Sequence, residues 1–159
     1  MDQAHIHLLI THLPIFGSIL GALVLVHGMW TKSSATKIAA YHVLILSALG
    51  AVVAYLTGEG TEETVENIQG VAENAIEAHE EFAMFALISL ICTGIASVLG
   101  VILTLKKSSF ANKISMVILF LALVGFGLVA RTGYLGGKIR HTEVGTGTPQ
   151  PSNPSSDHD

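Results

Sequence analysis

The sequence predicts an all-α integral membrane protein: an antiparallel four-helix bundle with an extra amphipathic surface helix between spans 2 and 3. Half of the 159 residues are hydrophobic and only 13% are charged, a balance far from that of a soluble domain. Four apolar runs can each cross a hydrocarbon layer of roughly 30 Å; they cover about 8–31, 38–57, 82–105 and 110–131. Short loops within each pair of spans predict antiparallel neighbours. We expect one membrane domain over 1–143 and a flexible polar tail over 144–159.

The first span carries histidines near both of its ends and a proline near its start. The N-terminus has an acidic residue and no lysine or arginine, unlike a cleavable signal peptide, so we expect this span to remain in the mature protein. Pro14 either begins the regular helix or kinks a longer one. His12 and His27 are about 22 Å apart along a helix, and membrane cytochromes with two stacked b haems place two histidines on one helix at about this separation. Gly17 and Gly21 permit close approach of a helix or of a flat macrocycle.

The second span brings a further histidine to the depth of His27. His42 lies near the same membrane boundary. The two residues therefore either clamp a second haem or lie at the interface as hydrogen-bonded polar groups. Aromatic residues near span ends commonly anchor helices at the membrane surface, and we assign that role to Trp30, Tyr41 and Tyr55.

Residues 57–81 form a polar, acid-rich segment between spans 2 and 3, with eight of the protein's twelve acidic residues. Thr61 is suited to cap a helix, because acidic residues follow it in the first turn. Beyond Thr61, apolar residues recur at helical period on one stripe and glutamates on another, which predicts an amphipathic surface helix. His79 lies on the apolar stripe, where a histidine needs a partner.

Spans 3 and 4 contain few groups that carry chemistry. Span 3 has no ionisable residue except Cys92, so we expect it to act as a wall of the bundle. A single cysteine excludes a disulfide framework, and the absence of a C-x-x-C-H motif excludes covalent attachment of a c-type haem. Arg131, at the end of span 4, either reaches the membrane surface or pairs with a carboxylate of 57–81 or a haem propionate.

Charged residues divide sharply between the two ends of the predicted bundle. The two short loops, which we call side B, contain five lysines and no acid. Side A comprises the N-terminus, residues 57–81 and the C-terminal tail, and it carries all twelve acidic residues. The positive-inside rule then places side B in the cytoplasm. We expect a multi-pass protein of the bacterial inner membrane with both termini in the periplasm.

Histidines from distant parts of the chain meet on side A, which predicts a redox or metal centre at the mouth of the bundle. Our leading hypothesis is one b-type haem bound by His12 and His79, with His7 as an alternative ligand and Arg131 or Lys138 facing a propionate. A second haem between His27 and His42 is a further hypothesis.

Two other hypotheses use the same end of the bundle. Imidazole mixed with carboxylate suits an iron, zinc or copper ion, so the first is a non-haem metal site. Its candidate ligands are His7, His12, His79, His141, Glu59, Glu63 and Glu80. The second is a structural subunit of a larger membrane complex that holds no cofactor.

Two short motifs and one histidine resemble a known family. HLLITHLP at 7–14 resembles the H-P-x-x-x-H-F-P opening of small four-span bacterial membrane proteins whose domain has no assigned function, with Leu8 and Leu13 replacing proline and phenylalanine. LGG at 135–137 resembles the family's signature after the last span, and His79 stands where the family has a histidine leading into span 3. Some members are joined to Rieske iron–sulfur domains, which implies a setting in electron transfer.

Taken together, these features predict an electron-transfer or binding subunit more than a stand-alone enzyme. Electrons would pass between a membrane quinone or a reductase and a periplasmic acceptor such as a cytochrome c or a Rieske protein. The acidic face of side A would dock a basic partner. The sequence has no nucleophile triad, phosphate-binding loop or nucleic-acid patch, so it gives no support for hydrolase, nucleotide-binding or nucleic-acid-binding functions.

Overall fold

The structure is a computed structural model that describes the backbone of residues 3–65 and 73–140 and the side chains of residues 6–58 and 76–137. This part of the chain is helical apart from short turns. Its helices are α1 (Gln3–Ile10), α2 (His12–Trp30), α3 (Ser34–Val65), α4 (Glu73–Leu105) and α5 (Ala111–Arg140).

Helices α2 to α5 form the predicted bundle. Each packs against the next, and α5 returns to pack against α2, which closes the ring. Four stretches are long and apolar enough to cross a membrane: Ile6–Trp30, Ser34–Gly58, Ile76–Leu105 and Ala111–Gly137. Large apolar side chains lie exposed on the outside of these helices, including Leu20, Leu23, Ile95 and Phe120. A surface of this kind is stable against lipid rather than water, so the chain is a multi-pass membrane protein.

The first span is broken near its start, which resolves the role of Pro14. Proline has no backbone N–H to donate to the carbonyl of Ile10, so a continuous helix would lose that hydrogen bond. Helix α1 ends at Ile10, and Thr11 stands at the turn with its N–H donating to His7 O at 3.0 Å. Pro14 therefore lies in the first turn of α2, where its missing N–H is harmless, and the short α1 packs against α3.

The acid-rich segment does not form a helix of its own that starts at Thr61, contrary to the sequence prediction. Helix α3 continues through Thr61 to Val65, and α4 begins at Glu73, so the outer helices are extensions of spans 2 and 3. An internal glycine costs a helix only about 1 kcal/mol, and the neighbouring glutamates favour helix, so Gly58 and Gly60 do not end α3. The middle of the predicted amphipathic helix, 66–72, lies outside the described residues.

Small residues bring α2 close to α3. A Cβ atom added to Gly17 would lie 2.9 Å from Ser47 Cβ, so the two backbones meet at helix-packing distance. Gly17 therefore serves helix packing, the first of its two predicted roles. The apolar core on the side B half then forms around Leu25, Leu44 and Ile118.

Tyr41 lies in that core rather than at the membrane surface, so its prediction as an interface anchor is wrong. Its side chain is fully buried, and its hydroxyl lies 2.7 Å from Ser115 Oγ. Trp30, by contrast, is 82% exposed at the end of α2, as expected of an anchor. Both residues are aromatic and near a span end, and only the packing of α3 against α5 distinguishes them.

Candidate cofactor site

His7 lies on α1 with its ring against α3. Its Nδ1 is 2.8 Å from the carbonyl oxygen of Ala54. A carbonyl oxygen only accepts hydrogen bonds, so Nδ1 carries the proton and the neutral ring keeps its lone pair on Nε2. The side chain is half-buried. His7 is therefore held in the tautomer that binds a metal through Nε2.

His79 repeats this arrangement on the opposite pair of helices. It lies on α4, half-buried, and its Nδ1 is 3.0 Å from the carbonyl oxygen of Thr132 on α5. The same reasoning assigns the proton to Nδ1 and the lone pair to Nε2. Metal-binding histidines commonly donate their second ring N–H to a backbone carbonyl in this way, which orients the ring and raises its basicity.

The two histidines lie near each other at the side A end of the bundle. A charge on His7 would act on His79, so the two side chains lie within electrostatic range of each other. One is held by α1 and α3 and the other by α4 and α5, so the four helices supply one imidazole from each side. The structure thus brings together His79 and His7, the residue that the sequence offered as the alternative ligand.

A glycine lies beside each imidazole. A Cβ atom on Gly58 would lie 3.1 Å from His7 Cε1, and one on Gly136 would lie 3.0 Å from His79 Cε1. Any side chain at these positions would crowd the rings, whereas a Cβ on Gly137 would have no atom within 4 Å. The LGG motif at 135–137 therefore has a local role, because its first glycine makes room for His79.

His12, the ligand that the sequence ranked first, lies apart from this pair. Its side chain is exposed, its Nδ1 donates to the carbonyl of Leu8 at 2.9 Å, and its ring stacks on Phe16 at 6.2 Å between centroids. His12 lies five positions after His7 in the chain. On a continuous helix, this spacing rotates the two side chains about 140° apart around the axis, and the break at Thr11 adds to the difference. The motif at 7–14 therefore presents its two histidines on different faces.

His27 and His42, the candidates for a second haem, both lie exposed on the outside of the bundle. His27 contacts the edge of Trp30, with ring centroids 6.5 Å apart. Gly28 packs against Lys37, and this register places His42 about 6 Å deeper than His27 along the helix axis. The two rings thus face outward at different depths.

Arg131 lies at the rim of the side A mouth. Its guanidinium carbon is 5.6 Å from the ring centroid of Phe82 and 5.3 Å from that of Tyr134. Phe82 follows His79 by one helical turn, and Arg131 directly precedes Thr132, so the cation lies close to the second imidazole. These cation–π contacts hold the guanidinium at the surface.

Carboxylates add little to the part of the site that the structure describes. Glu80 is exposed, and its charge interacts with His79. Within the described side chains, no three or more His, Cys, Asp or Glu residues form a group that could hold a metal ion. The side chains of Glu59, Glu63 and Lys138, and all of His141, lie outside the described residues.

Known proteins do not identify this chain. Comparisons with family models, curated proteins and solved structures gave no match. The resemblance of 7–14 and 135–137 to a four-span bacterial family therefore stays a prediction. Function has to be argued from the site itself.

The sequence missed the polar groups inside the bundle. Helix α4, expected to be a featureless wall, buries the hydroxyls of Thr93, Ser97 and Thr104. Lys37, expected in a loop, is buried at the side B end of α3. A signal for the hydroxyls was present, because positions 93, 97, 100 and 104 lie on one helical stripe that carries only small or hydroxylated residues.

Proposed function

We propose that the protein binds a b-type haem between His7 and His79 and transfers electrons at the side A surface of the membrane. The observation that carries this proposal is the pair of half-buried imidazoles from opposite helix pairs, each with Nδ1 held by a backbone carbonyl. This leaves two Nε2 atoms available, which is the number of axial positions on a haem iron.

Among the described side chains, the ligand set supports haem more than a bare metal ion. A protein site for zinc or non-haem iron needs three or four protein ligands. A haem brings four nitrogens of its own and needs only two from the protein. His7 and His79 supply those two, and Gly58 and Gly136 keep the space beside both rings free of side chains. A haem bound there would supply one-electron redox chemistry.

The surrounding residues orient and tune the two ligands. The carbonyls of Ala54 and Thr132 orient the two rings and fix the lone pair of each on Nε2. Arg131, held by Phe82 and Tyr134, is the candidate partner for a propionate group. The guanidinium of Arg131 would then remain at the membrane surface, where a propionate would also lie.

The charge distribution suggests how electrons arrive and leave. Exposed Glu77, Glu80 and Glu81 lie near His79 on α4, and an acidic surface attracts a basic partner such as a periplasmic cytochrome c. A membrane quinone, a reductase or a Rieske protein would be the other partner that donates or accepts the electron. The lysines of side B favour an orientation in the bacterial inner membrane with side A in the periplasm.

An absorbance spectrum of the purified full chain tests the proposal. We expect a Soret band that sharpens on reduction with dithionite. His7→Ala and His79→Ala should each abolish the native spectrum, because one axial ligand is lost. His12→Ala is the matched control, since it removes a histidine of the same end that lies outside the pair, and it should leave the spectrum unchanged.

The other outcomes are equally informative. A haem spectrum that survives both His7→Ala and His79→Ala would contradict the assigned ligands. A colourless protein with stoichiometric iron, zinc or copper would replace haem with the non-haem metal site. A protein with neither would be the cofactor-free subunit of a membrane complex.

A further inference from the structure

The side B end of the bundle contains a buried cation, Lys37, for which the described side chains supply no opposite charge. Lys37 is only 6% exposed, and its Nζ donates to Asn112 Oδ1 at 3.1 Å. An amide oxygen carries no net charge, so this hydrogen bond does not neutralise the ammonium group. A buried charge in a membrane bundle is costly unless an opposite charge accompanies it.

The surroundings of Lys37 add positive potential. The other ionisable residues of the side B loops are all cations: Lys32, Lys106, Lys107 and Lys113. Helices α3 and α5 begin at this end and helices α2 and α4 end there, so the partial charges of the helix ends largely balance and the lysines set the potential. Lys37 lies in the first turn of α3, where a cation is disfavoured. The charged groups around Lys37 therefore attract an anion and do not supply one.

A second unsatisfied donor lies at the same depth. Thr104 Oγ1 is buried and has no hydrogen-bond partner. The ring of Tyr41 packs over Gly100, 3.0 Å from the position of an added Cβ. Lys37 and Thr104 each lie one helical turn from that contact towards side B, so they are level on neighbouring helices. Buried Thr93, by comparison, donates to its own helix at Ser89 O.

We propose that Lys37, Thr104 and Asn112 bind a phosphate-type oxyanion at the side B end of the bundle. The ammonium and hydroxyl groups donate to phosphate oxygens, and the exposed Asn112 amide offers N–H donors at the rim. The phosphate belongs either to the headgroup of an anionic lipid or to inorganic phosphate. This site is independent of the haem proposal, because it lies at the opposite end and shares no residue with it.

The test measures anion binding by the full-length protein in nanodiscs. One arm compares thermal unfolding in phosphatidylcholine discs with and without inorganic phosphate, with chloride at equal ionic strength as the reference. The other arm counts phosphatidylglycerol retained in native mass spectrometry. We expect Lys37→Gln to weaken binding about tenfold or more, as for loss of a charge-assisted hydrogen bond. Lys113→Gln, the matched exposed lysine of the same end, should weaken it no more than about twofold.

Stabilisation by inorganic phosphate would identify a free anion, and selective retention of phosphatidylglycerol would identify a lipid headgroup. Absence of both effects would overturn the proposal. Equal losses in Lys37→Gln and Lys113→Gln would also overturn it, because they would indicate a diffuse surface charge. If Lys37→Gln does not fold, Thr104→Val replaces it with an expected loss of about threefold, and wild-type affinity in that variant refutes the site.

Discussion

The two ends of the bundle offer opposite chemistry to a ligand. On side A, His7 and His79 each donate Nδ1–H to a backbone carbonyl, which leaves an electron pair on Nε2. On side B, Lys37 and Thr104 present hydrogen-bond donors that the protein does not satisfy in full. The same four apolar helices therefore present electron-pair donors at one surface and hydrogen-bond donors at the other.

This difference lies in the side chains, because the antiparallel bundle brings two helix N-termini and two helix C-termini to each surface. Helices α3 and α5 run the same way, with their N-termini at side B and their C-termini at side A. On side A, the carbonyls of Ala54 and Thr132 hold the two imidazoles from within these helices, whereas side B carries the lysines. The difference teaches that a small bundle acquires two chemically distinct surfaces from a few polar side chains near its ends.

The largest expected effect is at the side A end. Gly136→Val should weaken haem binding by about 3 kcal/mol, the upper end of the usual cost of overpacking, because its side chain would displace the ring of His79. Haem titration followed at the Soret band measures the change. Gly137→Val is the matched control, since its Cβ meets no atom within 4 Å. Equal affinity for both variants would contradict the role of Gly136.

The next effect is on the packing of side B. A Cβ on Gly28 would lie 2.9 Å from the backbone nitrogen of Lys37, which cannot move without shifting α3. Gly28→Ala should therefore lower the free energy of unfolding by about 1–2 kcal/mol, measured by denaturation in detergent micelles. Gly127→Ala, which has open space, should show no loss. A neutral Gly28→Ala variant would argue against close approach of α2 and α3 there.

A smaller effect is expected from the hydroxyl pair inside the side B half. Tyr41→Phe removes the bond to Ser115 Oγ, and Ser115 keeps its bond to Ala111 O at 2.7 Å. The free energy of unfolding should fall by about 0.5–1.5 kcal/mol. The double variant with Ser115→Ala measures the coupling between the two residues. Additive losses in that cycle would show that the hydroxyls do not interact.

The smallest effect is predicted for His12. Its ring is exposed, and its Nδ1 donates to the nearby carbonyl of Leu8, four residues earlier in the chain. His12→Ala should therefore change the free energy of unfolding by no more than about 0.5 kcal/mol. The same denaturation assay measures it beside His79→Ala, which removes a bond between α4 and α5 and should be the less stable variant. Similar losses of unfolding free energy in the two variants would contradict the smaller structural role assigned to His12.

Much of the fold could be predicted from the sequence. Backbone groups inside a lipid bilayer must satisfy each other, so an apolar run of about 20 residues has to be a helix. Spans and connections follow from run and loop lengths, and the expected span 110–131 corresponds to the observed Ala111–Gly137. The sequence prediction ended span 2 at residue 57, because the glycines and threonines that follow are typical of a helix end. Helix α3 continues to Val65, since the glutamates in this stretch favour helix.

For the candidate site, the sequence predicted the residue types and the end of the bundle, and only the tertiary structure decided which of them meet. The side A histidines were recognisable from topology, but the pairing of His79 with His7 depends on the break at Thr11 and on the rotation of each helix. In water an apolar stripe marks the buried face of a helix. In a membrane both lipid and core are apolar, so hydropathy cannot show which face points inward. The burial of Tyr41 and Lys37 was likewise decided by helix packing alone.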